Sequence, residues 1–389
     1  MMLIGIIGAP NKGKSTLFSA LTMASAEIAD YPFTTIKPNH GVAYVARECV
    51  ERELKVRCTP KNGICKDGTR YIPIQIVDVA GLVPGAHLGK GMGNQFLTDA
   101  ICADVLIQVV DLSGKTDVSG NSAENANPAE DVRMIADELA HWICGIIKKH
   151  ISGIAKRKDG AKALHEMLAG LRVSESQIEQ AISACSLTSS NIGWDDSDIG
   201  AFSRELLRIS KPLVVAANKA DVAPPGALEK LREELKGFTV VGCSAAIELA
   251  LKKAAKAGAI DYNPGEKDFG IIGSLSPEQT KALEYMRAFV KKNGTGVQRL
   301  LNSVVFDVLK MIVVYPVEDE GKYTNHFGEV LPDALLVERG KNVHDLAAKI
   351  HSDLARNMLY AIDAKRRMRV NREYELKDSD VIKIVSAAK

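Results

Sequence analysis

Aromatic residues are scarce in this chain: 5% of 389 positions, with two tryptophans. Stacking successive bases on aromatic side chains, the usual platform for single-stranded nucleic acid, is therefore not signalled. No stretch approaches the ~18 consecutive apolar residues of a membrane-spanning helix. The opening MMLIGIIGA lacks the charged start, longer apolar run and cleavage site of a secretory signal, so a cytoplasmic protein with no membrane partner is expected. Cysteine is sparse and odd in number, seven scattered residues, which argues for reduced thiols and against a disulfide framework. Cys58 and Cys65 are spaced more widely than the pairs of zinc sites, and no zinc is expected there; Cys144 and Cys185 read as core. An excess of one charge is also missing: 50 Lys and Arg against 48 Asp and Glu leave a formal +2. Any nucleic-acid contact must come from a local patch.

What is present is an ordinary globular mix, 46% hydrophobic and 25% charged, enough to build a core without staples. Near-continuous apolar runs at Leu3–Gly8, Ile72–Asp78, Val105–Val110, Leu213–Asn218 and Phe238–Cys243 alternate with helical patterns. Parallel strands covered on both faces read this way, so an α/β doubly wound sheet is expected. The interval from Asp111 to Lys211 is too long for one crossover. Asn127-Pro128 reads as a cap followed by proline at the first helical position, and Val132, Ile135, Leu139, Trp142, Ile143 and Ile146 share one face. Further helices are expected at Ala161–Leu171, Glu175–Ala184, Ser276–Lys292 and Val297–Met311. Near the end, strand-like pieces at Ile312–Val314, Ala334–Val337 and Val381–Val385 surround one helix capped by Asn342, with Val343, Leu346, Ala347, Ile350 and Leu354 on its apolar face. The expected domains are 1–127 and 205–310 for a P-loop sheet, 128–204 for a helical insertion, and 311–389 for a small sheet with one helix.

The sharpest motif is Gly8-Ala9-Pro10-Asn11-Lys12-Gly13-Lys14-Ser15-Thr16, glycine, four residues, then Gly-Lys-Ser, between an apolar strand and a helix. Small residues there turn main-chain N–H groups inward around a β-phosphate, Lys14 sets a point charge between β- and γ-phosphates, and the Ser15 hydroxyl reaches Mg2+. Asn11, Lys12, Gly13, Lys14, Ser15 and Thr16 are therefore the expected phosphate cradle. Asn218-Lys219-Ala220-Asp221 follows an apolar strand and selects the base: the Asp221 carboxylate can accept guanine N1–H and its exocyclic amine, whereas adenine presents a lone pair there. Ser244 and Ala245, after the next strand, are expected to turn main-chain N–H groups toward guanine O6. Asp78 ends a strand as the acidic partner of Mg2+, and Gly81 lets the backbone approach a γ-phosphate. Gly85, Gly89, Gly91 and Gly93 follow. In Tyr31-Pro32-Phe33-Thr34-Thr35, either threonine could ligate the metal on chemistry alone.

Together these residues resemble the Obg superfamily of GTPases, in its YchF-like branch, over nearly the whole chain. The most specific likenesses are Ala29–Thr35, Asp78–Leu97 and the C-terminal region. The resemblance assigns the magnesium threonine to Thr35, and with Lys14 and Gly81 this makes the expected catalytic set. It implies GTP and GDP as ligands with Mg2+. Residues 311–389 resemble a TGS domain, a β-grasp module, through Leu336–Leu354 and Leu359–Ile362. The helical insertion is similar to that of YchF proteins, and no counterpart of the glycine-rich N-terminal domain of Obg precedes the first strand. Several YchF proteins carry an altered guanine motif and accept ATP; Asn218, Lys219 and Asp221 are intact here, which resembles the archaeal-type relatives and implies GTP.

Ras-like enzymes place glutamine after the glycine equivalent to Gly81. Leu82 stands here and cannot orient water, so slow intrinsic hydrolysis is expected. Potassium-activated relatives use an asparagine at the position of Asn11, so K+ beside the phosphates is expected as a compensating charge, unless Asn11 only bonds the switch loop. His87 reads as a loop histidine. Lys365-Arg366-Arg367-Met368-Arg369 and Lys156-Arg157-Lys158 are two basic runs, either solvated or in contact with RNA phosphates. The combined expectation is a monomeric GTP-dependent switch acting at ribosomes or in translation. The rivals are a YchF-type ATPase and an RNA-binding adaptor in which the nucleotide is structural.

Overall fold

Consecutive β-branched and leucine residues that can be covered on both faces become the centre of a sheet. In the computed structural model, which describes residues 2–23, 39–79, 85, 100–154, 157, 159–189 and 192–387, these runs are β1 (Leu3–Ile7), β5 (Val105–Asp111), β6 (Leu213–Asn218) and β7 (Thr239–Gly242). Every residue of β5 is buried. The other strands are β2 (His40–Glu48), β3 (Ile64–Lys66), β4 (Thr69–Asp78), β8 (Ile260–Asp261), β9 (Gly270–Ile271), β10 (Met311–Val317), β11 (Leu335–Glu338), β12 (Met358–Asp363), β13 (Met368–Val370) and β14 (Asp380–Ser386). The chain divides into two compact units, one of Met1–Met23, Ile36–Val42 and Gln75–Leu300, the other of Ala24–Thr35, Ala43–Ile74 and Leu301–Lys389.

In the first unit the sheet order is β4-β1-β5-β6-β7, all parallel, with β2 beside β4. β1 feeds directly into the helix Lys14–Thr22, and the C-terminal ends of β1, β4, β5, β6 and β7 line one edge. That edge is where ligands bind in open α/β sheets. Four helices, Pro128–Ile154, Gly160–Met167, Glu175–Ala184 and Asp196–Ser210, follow β5. Their apolar faces share one core with the sheet: Ile7, Val77 and Leu106 are continuous with Ile135, Leu139, Ile143, Ile178, Phe202 and Leu206. The helix Asp196–Ser210 has no counterpart among the sequence expectations. Its first turn, Asp-Ser-Asp, looks like a loop, yet Asp195 caps it by accepting from the N–H groups of Ser197 and Asp198.

The second unit contains a five-stranded sheet of order β11-β10-β14-β12-β13, with β10 and β14 parallel and the remaining pairs antiparallel. The helix Val343–Ile350 packs Val343, Leu346 and Ala347 onto it, and Asn342 caps that helix in a reciprocal box with Asp345. The expected single helix through Leu354 is broken: His351 is extended, and a short second helix runs Ser352–Arg356. Among the described residues no helix is long and apolar enough to cross a membrane.

Phe202 is wholly buried against Trp194, ring centroids 4.8 Å apart, whereas Ser174 caps the helix Glu175–Ala184 at the surface. Phe202→Ala is expected to cost about 3–5 kcal/mol of unfolding free energy, and Ser174→Ala about 1 kcal/mol. Denaturant titration of both variants checks this. Equal losses would show that the helices do not share the core of the sheet.

Candidate functional site

The loop between β1 and its helix is shaped by backbone positions that only small residues tolerate. Gly13 has φ 92°, and a Cβ there would lie 2.4 Å from Asn218 Nδ2. Gly8 has φ 147°, and a Cβ would meet the Val109 carbonyl oxygen at 2.6 Å. The helix Lys14–Thr22 begins at Gly13 with no side-chain cap, so the N–H groups of Lys14, Ser15 and Thr16 have no helical acceptor. With the helix dipole they form an anion cradle. The Lys14 ammonium lies 3.0 Å from the Ala9 carbonyl oxygen; burial lowers its pKa and the Asp78 carboxylate opposes the shift.

Ser15 Oγ donates to Asp78 Oδ2 at 3.2 Å. Burial raises the Asp78 carboxyl above the usual range, against the bond from Ser15 and the charge of Lys14. Asp78 Oδ1 is buried with no hydrogen-bond partner among the described residues. A hydroxyl and a carboxylate with an unspent oxygen, two hard donors beside an anion cradle, fit Mg2+ and not a soft metal.

The end of β6 carries the base-selecting residues. Asn218, 3% exposed, donates from Nδ2 to the Lys12 carbonyl oxygen at 3.0 Å and accepts from the Ala245 N–H on Oδ1 at 3.0 Å. It thereby joins the phosphate loop to the turn after β7. Lys219, at φ 61°, donates to the Asn11 carbonyl oxygen at 3.0 Å and to Asp111 Oδ2 at 2.8 Å. Burial would raise the Asp111 carboxyl, but hydrogen bonds from Lys219, Ser113 and Thr116 hold it below the usual range. The Asp221 carboxylate, half-buried, makes no hydrogen bond or ion pair with any described residue; its main-chain oxygen accepts from the Tyr285 hydroxyl at 3.2 Å. The N–H groups of Ser244 and Ala245 are engaged, by the Thr295 carbonyl oxygen at 2.8 Å and by Asn218. The exposed Ala246, next in the helix Ala245–Lys256, has a main-chain N–H with no acceptor among the described residues.

Three carboxylates that the motifs do not name complete this edge. Lys12 does not point its ammonium at the cradle: it lies 2.8 Å from Asp131 Oδ2 and 2.9 Å from the Thr116 carbonyl oxygen, and its side chain is 1% exposed. Only the main chain of Lys12 therefore faces the loop interior. Burial raises the Asp131 carboxyl to about 6, although Lys12 opposes the shift. Seven residues along the same helix, Glu138 Oε1 accepts the Gly85 N–H at 2.7 Å. Asn11 Nδ2 donates to the Gly120 carbonyl oxygen at 2.9 Å, in the polar loop after β5.

The structure thus brings together Asn11, Gly13, Lys14, Ser15, Thr16, Asp78, Asn218, Lys219, Asp221, Ser244 and Ala245 along one sheet edge. Thr35, Gly81, Leu82 and His87, together with Gly89, Gly91 and Gly93, lie outside the described residues. Asp111, Asp131 and Glu138 were not among the expected residues. A signal existed for two of them: Asp131 and Glu138 interrupt the apolar stripe of Pro128–Ile154 and are nonetheless buried. Carboxylates on a buried face need partners.

A 50S ribosome-binding GTPase family matches residues 3–149, an Obg-like GTPase YGR210-like, G4 motif-containing domain matches 216–319, and a TGS domain matches 328–386. The GTP-binding protein MJ1332 of Methanocaldococcus jannaschii is 49% identical over 399 residues, covering 100% of both chains. A protein named ribosome-binding ATPase YchF, from Escherichia coli O157:H7, is 36% identical over 178 residues, 46% of this chain and 47% of its own. The crystal structure of a GTP-binding protein from Pyrococcus horikoshii OT3 is similar with a TM-score of 0.81 and 38% identity, covering 99% of this chain and 100% of that chain. With that identity along its full length, and the phosphate and base loops on one sheet edge, the chain belongs to the Obg family of P-loop GTP-binding proteins, in the YchF-like branch that ends in a TGS domain.

Proposed function

We propose that this chain is a GTP-selective switch that hydrolyses GTP slowly to GDP and phosphate and works in contact with ribosomes. The observation that carries the choice of base is Asp221: a carboxylate beside the buried Asn218 clamp, with no protein partner among the described residues to compete for it. Guanine offers two N–H donors to such a group, and adenine offers none in that register. The free N–H of Ala246 supports contact with guanine O6, in place of those of Ser244 and Ala245, which are already engaged by Thr295 and Asn218. The N–H groups at Gly13–Thr16 and the Lys14 ammonium would hold the phosphates, with Ser15 and Asp78 as the ligands of Mg2+, Asp78 through water. Bound there, Mg2+ would neutralise charge on the β- and γ-phosphates. Thr35 and Gly81 are proposed as the γ-phosphate sensors, and Leu82 as the reason turnover is slow. The rival, ATP hydrolysis, draws support from the name of the Escherichia coli YchF relative.

The ribosome part rests on what related proteins are named for and on local charge. In the C-terminal run, Lys365 is tied to Glu53 at 2.6 Å, Arg366 lies 3.4 Å from Asp363, and Arg369 stacks on Tyr360 at 3.8 Å from the ring centroid. Arg366, Arg367 and Arg369 remain exposed to meet RNA phosphates. Arg157 in the helical region is occupied by Asp159 and Glu166, and Lys156 and Lys158 lie outside the described residues, so the RNA contact is proposed for the TGS-like residues 311–389.

Asp221→Asn is expected to weaken binding of a fluorescent guanine nucleotide by roughly 10²- to 10⁴-fold, two charge-assisted bonds being lost. It should also raise affinity for xanthosine nucleotides, whose 2-oxo group accepts from the new amide. Wild type should be displaced by GTP and not by ATP; displacement by both would remove the selectivity. Phosphate release should disappear in Lys14→Ala. In wild type it should be faster in potassium than in sodium buffer, because Nδ2 of Asn11 is held by Gly120 and its Oδ1 is left for a monovalent cation. Equal rates in both buffers reject the potassium role. Co-sedimentation with ribosomes should be stronger with a non-hydrolysable GTP analogue than with GDP, and absence of binding in both states removes the ribosome role.

A further inference from the structure

We propose that Cys49, Cys58, Cys65 and Glu51 form a structural zinc site, separate from the nucleotide site. Cys49 follows β2, Glu51 opens the short helix Glu51–Leu54, Cys58 lies in the loop after it, and Cys65 is the middle residue of β3. Their ligand atoms, three Sγ and one carboxylate oxygen, all lie within 4.8 Å of one another. Cys49 Sγ is 4.0 Å from Cys58 Sγ, and Cys65 Sγ is 3.3 Å from Glu51 Oε1. Tetrahedral zinc with Zn–S of ~2.3 Å and Zn–O of ~2.1 Å separates its ligands by about 3.5–3.8 Å, so contraction by about 1 Å at most would bring the four groups to the corners of a coordination tetrahedron. A disulfide needs its sulfurs at ~2.05 Å and would leave a thiol and a carboxylate unused. Spacing alone hid the site, because Cys58 and Cys65 are far apart in sequence and Cys49 with Glu51 completes the set.

A second observation is the charge around the cluster. Arg70 stands directly opposite Cys65 across β3 and β4 and is fully buried. It donates to the carbonyl oxygens of Leu331 and Pro332 at 3.1 and 2.9 Å, makes no ion pair with a described carboxylate, and has an unsatisfied Nε. A buried guanidinium requires negative charge nearby. Three thiolates and a carboxylate around Zn2+ carry a net −2, twice what the Glu51 carboxylate supplies beside three protonated thiols. The buried Tyr315 hydroxyl, near Cys49 and Arg70, also lacks a partner at hydrogen-bond distance. Donors of this kind are what metal-bound thiolates recruit around them. Three soft sulfurs favour zinc over the hard cations that suit Ser15 and Asp78. Four protein ligands leave no open position, so the role is structural. The metal would hold the loop after Glu51–Leu54, whose Thr59 and Lys61 N–H groups bond the carbonyl oxygens of Val330 and Pro332 at 2.9 Å each.

The full chain, purified without chelator, is expected to carry about one zinc per molecule by plasma mass spectrometry. Cobalt substituted into it should show thiolate-to-metal charge transfer and the visible bands of a tetrahedral site. The triple variant Cys49→Ser, Cys58→Ser, Cys65→Ser should lose the metal while binding guanine nucleotide with unchanged affinity, which reports that the fold survives. Glu51→Gln should keep cobalt bound but shift its visible bands. A chain that takes up no zinc even when equilibrated with it, a disulfide between any two of the three cysteines in the native protein, or equal zinc in the triple variant would each overturn the proposal.

Discussion

One buried carboxamide sets the geometry of the nucleotide edge. Asn218 uses both ends of its side chain, Nδ2 on the Lys12 carbonyl oxygen and Oδ1 on the Ala245 N–H. Three loops after three strands are thereby held to one another without a ligand. Each loop alone would be a mobile connection; fastened together they present a preformed cradle, and preorganisation lowers the entropy lost on binding. The crowding of Gly13 against the same Nδ2 shows how tightly the arrangement closes. A carboxamide suits that buried position because it donates at one end and accepts at the other without carrying charge. An aspartate would lose the donor and add a charge.

Buried carboxylates form the next layer. Lys12 meets Asp131, and Lys219 meets Asp111, both within the sheet edge and both at 2.8 Å. Such pairs gain little net stability, because desolvation offsets the Coulomb attraction, but breaking one leaves an uncompensated charge. Their effect is to fix where the loops lie. Lys12 sits between two residues of the phosphate cradle, and anchoring its side chain outward keeps its main chain turned inward.

The parts of the fold that were legible in the sequence are those where local pattern and tertiary role agree. β5 and β6 are apolar runs and are buried throughout or nearly so; Gly8 to Ser15 need a backbone that few other sequences could supply; Asn342 caps the helix it precedes. What was not legible depended on distant partners. Asp131 and Glu138 interrupt an apolar stripe, but the sequence does not show that Lys12 and Gly85 are the partners that meet them. The Asp196–Ser210 helix begins with polar residues that read as loop. Cys49, Cys58 and Cys65 converge only because β2, a short helix and β3 fold back on one another, which no spacing rule captures.

The helix Pro128–Ile154 has 27 residues and is therefore about 40 Å long. It is gripped near its start at two points two turns apart, Asp131 on the phosphate loop and Glu138 on Gly85. Rotating such a rod about its gripped end converts each degree of tilt into roughly half an ångström at Ile154. A sub-ångström shift at the gripped end would thus be enlarged by leverage at the far end, carrying with it the helices packed there.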